Sequence, residues 1–203
     1  MRTWAIVVTS ALVLLLLGVA GVGAVLLHGG MGARTEPSRL ETDLALKLRG
    51  LGLRSSRDKR SPVPASSEAL SEGRAHFADH CASCHANDGS GQAEMGQNLY
   101  PRAPDMRLAA TQRLTDGELF AIIEDGVRFT GMPAWGDKSE ESQRASWMLV
   151  QFIRHLPRLT ADERLEMESL NPKAPEDRQE DQDDEKFLEG DVPAREPVPR
   201  HHH

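Results

Sequence analysis

The chain has 203 residues, a formal net charge of −7 and only 4% aromatic residues. That length allows one or two domains, and so few aromatics leave much of it outside any packed core. No nucleic-acid partner is expected of so acidic a chain.

Ala5 to Leu27 runs without a charge. As a helix these residues would extend about 35 Å at 1.5 Å per residue, enough to cross a hydrocarbon core of about 30 Å. The run exceeds the apolar stretch of a cleaved signal peptide and no Ala-x-Ala site follows it, so an uncleaved anchor in membrane lipid is expected. Arg2 alone precedes the span, whereas Arg34, Arg39, Lys47 and Arg49 follow it. Charge asymmetry by itself would place the body in the cytoplasm. Ser38-Arg39-Leu40-Glu41 has capping-box spacing, and Leu40, Leu44, Leu48 and Leu51 recur at helical intervals. They predict a short stalk helix ended by Gly50 and Gly52. Arg54 to Ser67, basic and then rich in Pro and Ser, reads as a linker that lets the next unit move.

Ser67-Glu68-Ala69-Leu70 opens a helix that runs into Cys81-Ala82-Ser83-Cys84-His85, which holds the only two cysteines. Cys-x-x-Cys followed at once by His is the attachment signature of c-type haem: the thiols fasten the macrocycle and the imidazole is an axial ligand. Three other readings compete. A redox dithiol wants alternating strands and helices, which are not visible here. Zinc held by His76, His80, Cys81 and Cys84 would crowd four ligands into nine residues, whereas structural sites draw on separate segments. The third is a plain disulfide.

Asn87 to Gly96 is loop, and Tyr100-Pro101-Arg102-Ala103-Pro104 is a stiff turn. Thr115-Asp116-Gly117-Glu118 starts the next helix as a capping box. Its apolar face is Leu119, Ile122 and Ile123, and Gly126 closes it. Thr130-Gly131-Met132-Pro133-Ala134-Trp135-Gly136 then has the chemistry of a ligand loop. Gly131 permits close backbone approach, and Pro133 holds Met132 extended. Met132 is the expected thioether ligand; Met95 and Met106, also in loops, are its competitors, and Met148 reads as core. Glu140 to Ser142 opens the last long helix, with Trp147, Leu149, Val150, Phe152, Ile153 and Leu156 inward and His155 toward solvent. Ala161 to His203 carries 14 acidic and 6 basic residues, a tail expected to be largely disordered beyond about Asn171. His201 to His203 can bind a transition metal weakly.

The Cys81–His85 motif, Gly131-Met132-Pro133 and the helix pair bearing Gly73, Phe77, Leu149 and Phe152 resemble a class I, monohaem cytochrome c of the membrane-anchored bacterial kind. The resemblance covers about Ser66 to Leu159. It implies an all-α, class I cytochrome c fold around one covalent haem c, in which the two helices cross at the small residue. It also implies Cys81 and Cys84 as attachment points and His85 and Met132 as iron ligands, with Tyr100 or Arg102 near the haem propionates. Gln97 stands where the family often has proline, so the carbonyl that orients His85 is not assigned. Such cytochromes mature on the outer face of the membrane. This overrides the charge asymmetry and places the domain on the periplasmic side of a bacterial inner membrane. The expected organisation is an anchor at 1–32, stalk and linker at 33–65, a cytochrome c domain at 66–160 and the acidic tail at 161–203. The expected role is one-electron transfer between membrane redox complexes, by a tethered carrier or a fixed subunit of an oxidase or dehydrogenase. A haem-based sensor is the competing role. No nucleophile–base pair, phosphate-binding glycine loop or paired carboxylates suggest an enzyme.

Overall fold

A computed structural model of the chain describes residues 2–28, 32–173 and 186. The described residues are helical, joined by turns and loops. The tail expectation beyond Lys173, and the terminal histidines, lie outside them apart from residue 186.

Helix α1, Arg2–His28, is one long apolar helix. Residues 2–24 have a mean hydropathy of 2.6, and none of this stretch is buried against the rest of the chain. That is the character of a single membrane-spanning anchor. Helix α2, Arg39–Gly52, starts at the expected Ser38–Glu41 capping box and buries no residue. Before and within it, Arg34, Glu36 and Glu41 bond to Asn98, Arg102 and Tyr100, each at 3.1 Å.

The core lies between α3, Ser67–His76, and α8, Glu140–His155. Ser66 and Ser139 cap their N-termini with side-chain oxygens, satisfying amide donors that would otherwise be orphaned. The helices cross where Gly73 meets the Met148 carbonyl; a Cβ at Gly73 would also lie 2.7 Å from the Met148 carbonyl carbon. The close approach expected of this pair is present. Phe77 and Phe152, both fully buried, pack with ring centroids 5.1 Å apart. Helix α7, Asp116–Asp125, begins at the Thr115–Glu118 capping box and closes at Gly126. It packs on α8 through Phe120, whose ring stacks on Trp147 at 4.2 Å. Between the two packing layers, Gln112 of the short helix α6, Ala109–Gln112, donates to the carbonyls of Met106 and Ile153.

Two expectations about the edges of the domain change. Residues 54–67 do not hang free. Ser56 and Val63 are buried, Thr115 donates its hydroxyl to the Arg57 carbonyl at 2.8 Å, and Gln151 reaches the carbonyls of Val63 and Pro64. The stretch is a strap across α7 and α8, because its few apolar side chains find room there and its carbonyls find donors. Beyond Pro157, helix α9, Ala161–Leu170, folds back onto the domain. Met167 is fully buried, and Arg74 pairs with Glu163 at 3.3 Å and Glu166 at 2.7 Å. His155 therefore does not face solvent: its Nε2 lies 2.9 Å from Glu163.

Candidate metal centre

The Cys81–His85 motif forms where α3 ends. A π turn, Phe77–Cys81, follows α3 directly, and the single-turn helix α4, Ala82–His85, follows the π turn. One extra residue per turn rotates the side chains that come after it, a device frequent at functional sites. It leaves Cys81 and Cys84 half-buried and unbonded to each other. Burial, reinforced by the neighbouring Cys84, pushes the Cys81 thiol up to about 12. Among the described residues no cluster of three or more His, Cys, Asp or Glu is arranged to hold a metal ion. His80 instead pairs with Asp79 at 3.0 Å, and the zinc and disulfide readings find no support.

His85 is 7% exposed. Burial pushes its pKa down to about 4, opposed by the Pro104 carbonyl. The ring is neutral at pH 7, the state in which an imidazole ligates a metal. Its Nδ1 closes no hydrogen bond of normal geometry, so the Pro104 carbonyl is an approach to the ring rather than a bond. A buried, unpartnered nitrogen needs an explanation. An imidazole held ready for a ligand on one side and the Pro104 carbonyl on the other provides one. The segment carrying Pro104 is folded over His85 by Gly91 donating to the His85 carbonyl at 2.9 Å, Gln97 donating to the Gly91 carbonyl at 2.6 Å and Met106 donating to the Gly89 carbonyl at 2.8 Å. Arg107 fixes the same segment through Asp105 at 2.7 Å and Asp88 at 2.8 Å. Pro104 was not anticipated, because the family pattern directs attention to position 97.

The loop after α7 carries Met132. Val127 donates to the Met132 carbonyl at 3.1 Å, and Met132 donates its own amide to the Thr130 hydroxyl at 3.1 Å. Gly131 packs flat on Leu99, where a Cβ would lie 2.6 Å from a leucine methyl. At the far end, Trp135 meets the His80 ring edge-on at 5.4 Å. One loop therefore spans from Leu99, downstream of His85, to His80, just before Cys81. Of the two competing methionines, Met106 is buried in the core and Met95 is exposed; Met148 is buried, as expected of a core residue. Tyr100 and Arg102, expected near the propionates, bond to Glu41 and Glu36 of the stalk.

These residues fit a covalently attached haem: paired thiols, a neutral imidazole beside them and a thioether on a pinned loop. Residues 68–153 match the family described as cytochrome c oxidase, cbb3-type, subunit III.

Proposed function

We infer, from residues 68–153 being a c-type cytochrome domain, that the chain is a membrane-tethered electron carrier that works through one haem c. Cys81 and Cys84 hold the group. His85 and Met132 would ligate its iron, and the Pro104 carbonyl, which approaches the His85 ring, would orient the imidazole. When bound, the group supplies a one-electron Fe(III)/Fe(II) couple whose potential His/Met ligation raises. The polypeptide keeps ligands in place and water out. The observation that carries this reading is the Met132 loop, bonded to Val127 and Thr130 and packed on Leu99. A thioether fixed in this way would close the iron to small molecules, which is what a carrier needs and a sensor does not.

Helix α1 would hold the domain at the membrane surface and raise its effective concentration near redox partners there. The domain would then lie on the periplasmic side of a bacterial inner membrane. The second reading is a fixed subunit of an oxidase, favoured by the subunit named in the matching family. Co-purification after mild solubilisation separates the two.

The decisive experiment is the optical spectrum of the holoprotein, oxidised and reduced, with and without carbon monoxide. The same spectra are recorded for Met132→Ala. A low-spin reduced haem that ignores carbon monoxide in the parent and binds it in the variant is expected. Rapid binding in the parent would hand the argument to the sensor.

A further inference from the structure

Glu124, at the end of α7, is 3% exposed and is the one carboxylate fully buried among the described residues. It takes part in no ion pair there; Lys138, which feels its charge, is bonded to Asp125. Burying a carboxylate without a paired cation costs free energy, so its position calls for a reason beyond packing. The surroundings give one. From α8, the buried Ser146 donates its hydroxyl to Glu124 Oε1 at 2.6 Å. From the ligand loop, Gly136 lies directly on the carboxylate: a Cβ at Gly136 would sit 2.5 Å from Glu124 Cδ. The Gly136 amide also donates to the Glu124 carbonyl at 3.1 Å, and the Trp135 amide to the Ile123 carbonyl at 3.1 Å.

We propose that Glu124 is a positioning residue that holds the Met132 loop shut, its carboxylate filling the space between α7, α8 and the Trp135-Gly136 backbone. The loop is then gripped at both ends. Val127 donates to the Met132 carbonyl at the near end, and the Glu124 carboxylate with its own carbonyl takes the far end. Pro133 helps to transmit that grip, since it fixes its own φ between the ligand and the anchor. Gly136 leaves the carboxylate its place, and a side chain there would have to displace it. The inference rests on Met132 being the sixth ligand.

The test uses the holoprotein carrying Glu124→Ala, Glu124→Gln, Gly136→Ala and the double change Glu124→Ala/Gly136→Ala. Two properties are read: the sulfur-to-iron charge-transfer band of the ferric form and the rate of carbon monoxide binding to the ferrous form. Glu124→Gln keeps the volume and an acceptor oxygen, and should keep the band. Glu124→Ala should lose it and bind carbon monoxide faster by about tenfold or more, a coupling of the size found within one hydrogen-bonded cluster. Gly136→Ala should open the site in the parent and do less in the Glu124→Ala background, because the space it needs has been cleared. If Glu124→Ala fails to take up haem, the Gly136→Ala and Glu124→Gln pair decides. A closed site in Gly136→Ala, or additive effects in the double variant, overturns the clamp. If Met132→Ala opens the iron and Glu124→Ala does not, the clamp fails while the ligand stands. If Met132→Ala changes nothing, both fall.

Discussion

Gly73 shows how much of this domain turns on single atoms. The chain crosses α3 over α8 where one residue has no side chain, and the Met148 carbonyl occupies the place a methyl would take. Alanine is the better helix former by nearly 1 kcal/mol, yet here it must push two backbones apart. We expect Gly73→Ala to destabilise the folded protein by about 1–3 kcal/mol, the usual result of overpacking a close-packed core, measured by denaturant unfolding. An unchanged midpoint would mean that the crossing has slack. The site divides along the same line. Cys81, Cys84, His85 and Met132 could be proposed from the sequence because the chemistry asked of them is local: attachment and ligation need particular residue types at particular short spacings. Pro104 and Glu124 could not, because each acts on a partner brought to it by folding, His85 in one case and Gly136 in the other.

Among the elements, α9 departs furthest from expectation. Its composition reads as the start of an acidic tail, but Met167 and the carboxylate of Glu163 are what the domain uses. Burial would raise the pKa of Glu163; hydrogen bonds from the Thr160 backbone, the His155 ring and the Thr160 hydroxyl outweigh it and hold the value at about 2, against an ordinary 4.5. A carboxylate depressed in the folded state contributes stability that is present above its unfolded value and is lost as pH falls through the folded one. Docking of α9 should therefore weaken as pH is lowered from about 4.5 towards 2. Amide hydrogen exchange across 161–170 measures it, with Glu163→Gln losing most of that pH dependence. A flat profile in the parent would remove Glu163 from the docking contact. The apolar helices behaved more simply: capping boxes at Ser38 and Thr115 and the inward face of α8 formed where the periodicity placed them.

At the scale of the whole molecule, the strap over α7 and α8 ties the domain to the helix that precedes it. Ser56 and Lys59 turn their carbonyls onto Gly117, where a Cβ would lie 2.9 Å from the Lys59 oxygen and closer still to that of Ser56. With the stalk contacts at Asn98, Tyr100 and Arg102, this is a short, bonded connection rather than a free leash. Gly117→Ala should lift the strap without touching the metal centre. Tryptic cleavage after Arg54, Arg57, Lys59 or Arg60 should then quicken by about tenfold for each 1.4 kcal/mol of local stability lost, while the haem spectrum stays as in the parent. Equal cleavage rates would show that the strap carries no such role.

Sequence alone determined the helical class and the long apolar N-terminal helix, and it supplied the proposed haem-attachment motif and ligand loop, since each rests on residue type, period or spacing within a few turns of chain. Only the tertiary structure decided that the strap and α9 belong to the domain, that His155 faces Glu163, and that Pro104 and Glu124 flank the site. Those are contacts between segments far apart in the chain, where the free energy comes from filling a particular space and pairing a particular carbonyl or carboxylate, and no local pattern records which space that will be.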